Sequence, residues 1–202
     1  LAGLSAGGSM AVILGVLYPD VFSGVAVSSG LEYKSASSQL DALYVMLRGG
    51  PDPDRQGELA YNAEGGFSAV VPVIVFQGTA DHIVAPINAN QVISQWAQTN
   101  DLALNDLDDD RIDDIAEKVI DVQDHDGYDY TRSIYKDDNG NLVMEKYIIE
   151  GMGHAWSGGS KKGSYTDPKG PDASKLMWDF FKRTANFNDQ VAPVTIAVPR
   201  GG

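Results

Sequence analysis

Two short runs limit what this chain can fold into. Phe22 to Ser28 (FSGVAVS) and Val71 to Phe76 (VPVIVF) both read as strands, and the second is the strongest strand signal in the chain. In the first the apolar pattern is continuous, which predicts a strand covered on both faces. Such strands belong in a parallel sheet with helices above and below it. Helices are expected where that arrangement needs them. Ser5 to Tyr18 reads as a helix stopped by Pro19, and residues 35–48 as another ended by Gly49-Gly50. Pro86 to Gln98 and Asp172 to Thr184 read as two more, and residues 111–119 as a short one. Tyr128 to Tyr135 and Leu142 to Ile149 alternate like strands, joined by the turn Asp137-Asp138-Asn139-Gly140. Pro51 to Gly66 is polar and reads as loop, and the stretch after Asn188 as an extended tail or linker. Strands alternating with helices predict an α/β protein with a mostly parallel sheet.

In open α/β sheets the working residues lie at the carboxyl ends of strands. Three places satisfy that rule. Gly3-Leu4-Ser5-Ala6-Gly7 is a G-x-S-x-G sequence at a strand-to-helix turn. A nucleophile on so sharp a turn needs small neighbours two positions away, and both are glycine. It also sits at a helix N-terminus, where the dipole favours developing negative charge. Asp81 follows the VPVIVF strand in Gln77-Gly78-Thr79-Ala80-Asp81-His82, placed to accept a hydrogen bond from an imidazole. His154 lies in the glycine-rich Gly151-Met152-Gly153-His154-Ala155-Trp156-Ser157-Gly158-Gly159, after the last expected strand. The other histidines fit less well. His82 stands beside the candidate acid and could line a cleft, and His125 lies in an acidic stretch facing solvent.

The order Ser5, Asp81, His154 is that of α/β-hydrolases and differs from the orders in chymotrypsin and subtilisin. It assigns attack on an acyl carbonyl to Ser5, proton transfer to His154 and orientation of the imidazole to Asp81. The Ala6 N–H would be one half of an oxyanion hole. Tyr33, Ile83 and Trp156 are candidates for lining the substrate pocket.

Composition narrows the partners. Fifteen basic and 28 acidic side chains give a formal charge of −13, which opposes binding to nucleic acid or to an anionic membrane. Most of that charge is local, since residues 101–130 hold twelve acids and two bases. That segment reads as a solvated acidic insertion and says little about the partners of the whole chain. Within it, Asp106, Asp108, Asp110, Asp114 and Glu117 fall at positions 1, 3, 5, 9 and 12 of a calcium loop. Arg111 stands where such a loop needs glycine. With no cysteine there is no disulfide, thiolate nucleophile or Cys-ligated zinc. No apolar run approaches the roughly eighteen residues of a spanning helix.

Several blocks together resemble a known group. GLSAGGSM, YPDVFSGVAVSSG, PVIVFQGTADHIVAPINANQVISQW, GMGHAWSGG and DPKGPDASKLMWDFF are similar to secreted esterases grouped with polyhydroxybutyrate depolymerases and with feruloyl and acetylxylan esterases. The resemblance extends from residue 1 to about residue 184. It implies an α/β-hydrolase fold, carboxylic-ester hydrolysis, an ester substrate that can be polymeric, no cofactor, and an extracellular location. It assigns nucleophile, acid and base to Ser5, Asp81 and His154, and puts Trp156 beside an acyl or polymer site. It also implies strands ahead of the elbow and a second oxyanion donor among them. Residues 1–187 are therefore expected to be the C-terminal part of a catalytic domain that associates with an N-terminal half, with 188–202 as tail or linker. Other functions fit the same residues. A peptidase or thioesterase would use the same triad, a relic of a hydrolase would serve as a binding module, and a calcium-dependent adhesion or carbohydrate module would use the acidic loop.

Overall fold

The computed structural model describes residues 1–63 and 69–185. Its elements, in chain order, are β1 (Ala2–Leu4), α1 (Ala6–Leu17), β2 (Val25–Ser28), α2 (Gln39–Arg48), α3 (Pro53–Ala63), β3 (Val73–Gly78) and α4 (Ile87–Asn105), followed by β4 (Lys118–Val122), β5 (Tyr130–Lys136), β6 (Leu142–Ile149), β7 (Trp156–Ser157), β8 (Thr166–Asp167) and α5 (Ala173–Thr184). Six strands form one sheet in the order β1-β2-β3-β6-β5-β4. The first four of that order run parallel, and β5 and β4 extend the sheet antiparallel. β7 and β8 make a separate parallel pair.

Both faces of the sheet are covered, as the apolar runs require. Val25, Val27, Val73 and Val75 belong to one core with Ala11, Val12 and Val16 of α1, Ala60 of α3 and Trp96 of α4. Ala26, Ile74 and Phe76, the alternate residues, belong to a second core with Ala173, Met177 and Phe180 of α5. The period of two thus divides one apolar sequence between two helix layers. All six residues of β3 are buried. The apolar surface of α1 is broken by Gly15, where a Cβ would come within 2.3 Å of Val25. Its absence lets the helix lie close on the sheet.

Four expectations are corrected. The polar stretch from Pro51 contains a helix, α3, whose Gln56, Gly57 and Ala60 are buried. Gly57 makes this possible, because a Cβ there would meet Gln98 Cβ at 2.5 Å and the Gln95 carbonyl oxygen at 2.8 Å. Close docking on α4 overrides a weak local pattern. Residues 111–119 are not a helix. Lys118 begins β4, which pairs with β5 from Lys118↔Ile134 to Val122↔Tyr130. α4 continues seven residues beyond Gln98, to Asn105.

The fourth correction concerns the acidic stretch, which is only partly a solvated insertion. Asp101 is 1% exposed. Its carboxylate accepts the backbone N–H groups of Asp109, Asp110, Arg111 and Ile112 at 2.8–3.2 Å. The five carboxylates with calcium-loop spacing do not converge. Asp106 accepts from Tyr61 and Asp114 from Ser94. Among the described residues no three acidic or histidine side chains are gathered to hold a metal ion.

The Asp137–Gly140 turn forms as the sequence predicts. Asp137 Oδ1 accepts from the N–H groups of Asn139 and Asn141, and Gly140 takes the positive φ of 84°. No helix among the described residues is long and apolar enough to cross a membrane. The expected tail, 188–202, lies with 186–187 outside the described residues.

Candidate active site

The turn from β1 into α1 is tight and strained. Ser5 holds φ 58° and ψ −121°, a region that serine avoids. Its N–H donates to the Ser28 carbonyl at 2.9 Å, tying the turn to the end of β2. A Cβ on Gly3 would stand 2.1 Å from the Gly7 carbonyl oxygen, and one on Gly8 would stand 3.1 Å from the carbonyl oxygens of Gly3 and Ser28. These glycines are required by contact between backbones. Ala6 opens α1, so its N–H has no carbonyl one turn back to receive it. Ala6 is exposed and Ser5 half-buried.

Asp81 lies just beyond β3 and is 3% exposed. Its Oδ1 accepts the N–H groups of Ile83 and Val84, each at 2.9 Å. Its Oδ2 accepts from Gln77 Nε2 at 3.2 Å and lies 2.8 Å from His154 Nδ1. Burial pushes this carboxyl up. The Val84 N–H, His154 and the Ile83 N–H together outweigh burial and hold it below the usual carboxylate range. Ser29, buried at the end of β2 and outside hydrogen-bonding geometry, adds its dipole in the same direction.

His154 follows β6, and its loop is fastened to the acid loop by backbone. Thr79 N–H donates to the Ile149 carbonyl at 2.9 Å, and Ala80 N–H to the Met152 carbonyl at 3.0 Å. Thr79 Oγ1 accepts from Gly151 N–H at 2.8 Å and donates to Glu150 at 3.3 Å. Gly151 turns the chain with φ 77°. Ser5, Asp81 and His154 thus follow β1, β3 and β6, three parallel strands of one sheet, at its carboxyl end. Asp81 and His154 are in contact, and no hydrogen bond joins the Ser5 hydroxyl to His154.

The family can now be read from the whole chain. Residues 1–120 match the family model described as Esterase PHB depolymerase. The chain belongs to the PHB depolymerase esterase family. Poly(3-hydroxyalkanoate) depolymerase C of Paucimonas lemoignei is 33% identical over 156 residues, covering 76% of this chain and 34% of that protein. Feruloyl esterase B of Talaromyces stipitatus is 33% identical over 104 residues, covering 48% of this chain and 29% of that protein. Acetyl xylan esterase from Aspergillus awamori shares the fold with a TM-score of 0.65 at 19% identity, covering 90% of this chain and 58% of that structure. The fold is therefore that of the α/β-hydrolases. The chain spans roughly a third of the length of the curated relatives it matches.

Within this PHB depolymerase esterase fold, the expected pocket residues separate. Tyr33 is a correction. It is 4% exposed and belongs to the first core, with its N–H on Gln95 and its carbonyl on Gln56. It cannot line an open cleft. Trp156 is half-buried, packs on the second core and donates from Nε1 to Ser174 at 3.2 Å, so its contacts here are those of packing. Ile83 is 47% exposed, two residues from Asp81. His82 and His125 are exposed. Two residues escaped the sequence reading, Gln77 and Thr79. Gln77 had a signal, as the first polar residue after VPVIVF. The contacts of Thr79 are with residues about seventy positions away, and nothing local announces them.

Proposed function

We propose that this chain carries the catalytic residues of a serine carboxylic-ester hydrolase. The observation that supports it most is the 2.8 Å contact between His154 Nδ1 and Asp81 Oδ2, at the carboxyl end of the sheet where Ser5 holds its strained backbone. In the reaction, Ser5 Oγ attacks the ester carbonyl while His154 Nε2 takes its proton. The tetrahedral oxyanion is met by the Ala6 N–H and the N-terminal dipole of α1. Collapse breaks the bond to the alcohol oxygen, which leaves with the proton from His154, and Ser5 stays acylated. Water, deprotonated by His154, then releases the acid. Asp81 keeps the Nδ1 proton in place and offsets the imidazolium charge. The Ser5–His154 bond is expected to form with substrate present, since such bonds are often long in the free enzyme.

The relatives' names suggest the ester links of polyesters or acyl groups on polysaccharides as substrates, which fits an extracellular site of action. β1 is an edge strand among the described residues. That edge, with the greater length of the relatives, supports a second oxyanion donor on polypeptide paired beside β1. Ile83 is the exposed apolar side chain proposed to touch the acyl or alcohol group.

The test is hydrolysis of p-nitrophenyl acetate and butyrate together with labelling by an organophosphate. Label on Ser5, and loss of both label and turnover in Ser5→Ala, is the expected result. A chain that neither labels nor turns over would favour a non-catalytic binding module.

A further inference from the structure

Gln77 is an anomaly in a strand whose interior is otherwise apolar. It sits on β3 between Phe76 and Gly78 and is fully buried. A buried amide is costly unless its hydrogen-bonding capacity is met. Here half of it is not, because Oε1 has no partner among the described residues. The other half is crowded. Nε2 faces the Gly78 carbonyl at 3.2 Å, Asp81 Oδ2 at 3.2 Å and the Val84 carbonyl at 3.0 Å. All three are acceptors, so the amide can only present its NH2 to them. A side chain kept for stability alone would be better replaced by an apolar one of similar volume.

We infer that Gln77 is a positioning residue for the Asp81–His154 pair, holding Oδ2 in the place where it receives the imidazole. This rests on the triad reading above. Gln77 Nε2 and His154 Nδ1 donate to the same carboxylate oxygen, while the Ile83 and Val84 N–H groups hold the other. Through the Val84 carbonyl the same amide also fixes the turn that carries Asp81. The carboxylate therefore cannot rotate without breaking bonds on both oxygens. His154 is the titratable side chain bonded to Asp81 from the β6 loop. From β2 the neighbouring Ser29 brings only a neutral hydroxyl, and from the acid loop only N–H groups face the carboxylate. Gln77 is thus a neutral donor competing with the imidazole for Oδ2. Taking it away leaves that oxygen more basic and binds an imidazolium more tightly.

The experiment compares the unaltered chain with Gln77→Met, which keeps the volume, and with Gln77→Glu, which keeps the shape. For p-nitrophenyl ester hydrolysis by Gln77→Met, kcat should fall about tenfold with KM within about twofold. The acid limb of kcat/KM should move up by about half a pH unit, because the Asp81–His154 pair keeps its proton longer. The downfield NMR signal of the His154 Nδ1 proton should move further downfield. Gln77→Glu can donate only while protonated, so its activity should fall as pH rises. Two results would overturn the assignment. One is a folded Gln77→Met with acid limb and proton signal both unmoved. The other is loss of the folded state in both variants, which would make Gln77 a stability residue. The NMR signal reads the coupling whether or not ester is cleaved. No turnover and no label at Ser5, with the signal still moved, would therefore strike the hydrolase reading and not the contact.

Discussion

Gly78 approaches Met152 so closely that a Cβ on its α-carbon would stand 2.1 Å from the Met152 carbonyl oxygen. The acid loop and the histidine loop meet there, backbone against backbone. The Ala80 N–H to Met152 carbonyl bond lies beside this contact, and Asp81 reaches His154 just beyond it. The geometry of the pair therefore depends on an absent methyl group.

Gly78→Ala is expected to push the two loops apart. Overpacking of this kind costs about 1–3 kcal/mol, and a displacement near 1 Å at a reacting centre can cost about a hundredfold in rate. Steady-state hydrolysis and thermal melting read both effects. Gly153 is the control, since nothing lies within 4 Å of a Cβ built there. Gly153→Ala should melt and turn over nearly as the unaltered chain does. Equal behaviour of the two variants would remove Gly78 from the account.

Asp81→Asn keeps the shape and removes the charge. Asn cannot satisfy both ends of its site. With its oxygen on the Ile83 and Val84 N–H groups, its NH2 faces the donors Gln77 Nε2 and His154 Nδ1–H. Turned over, it sets NH2 against the two backbone N–H groups. The first arrangement loses the favoured imidazole tautomer and the second disrupts the turn that carries the acid, so kcat should drop by about three to four orders of magnitude. A drop of less than tenfold in a folded variant would mean that Asp81 does not orient His154.

Glu32 should make stability fall as pH rises. It is 4% exposed, neither carboxyl oxygen has a hydrogen-bond partner among the described residues, and burial with nearby Asp52 pushes it up to about 8. A folded-state carboxyl raised above its unfolded value binds a proton that the unfolded chain has released. Its contribution to stability is therefore complete below the unfolded value of 4.5 and declines progressively up to about 8. Glu32→Gln should leave the melting temperature near pH 4 almost unchanged and raise it by a few degrees at pH 8. A variant no more stable than the unaltered chain at pH 8 would show that Glu32 finds a partner when ionised.

Asp101→Ala would strip four backbone N–H groups of their acceptor in the loop after α4. The expected loss is about 3 kcal/mol by urea titration, allowing for partial rescue by water. α4 runs back from the end that carries Asp81, so this loop lies at the far end of the sheet. kcat at 25 °C should be little altered. Stability unchanged within experimental error would show that the loop holds itself without the carboxylate.

The sequence revealed features whose cause is local. In the elbow Gly3-x-Ser5-x-Gly7, Gly3 has to be glycine because a Cβ there would stand 2.1 Å from the Gly7 carbonyl oxygen. The run FSGVAVS announces burial on both faces because its apolar residues do not alternate, and Val25 to Ser28 are all buried. The relation of Asp81 and His154 to strand ends followed from the strands before them. Contacts between distant segments were not legible. α3 is polar in sequence and becomes a helix by docking Gly57 on α4. The calcium-loop spacing dissolved because Asp106 and Asp114 have partners on other helices. Tyr33 looked like a pocket residue until the fold placed it in the core.

By itself, then, the sequence determined the mostly parallel character of the sheet, the serine turn and the order of the three candidate residues, since each follows from sterics or periodicity within a few positions, while β4 was hidden in a stretch that reads as helix. Only the tertiary structure decided which atoms meet. It brought His154 Nδ1 to Asp81 Oδ2 across 73 positions of chain and set the Gln77 amide behind the same oxygen. It also buried the carboxyl groups of Asp101 and Glu32 in opposite circumstances. The physical reason is that a carboxylate's cost depends on the donors that reach it. Asp101 has four and Glu32 has none among the described residues, and folding alone allots them.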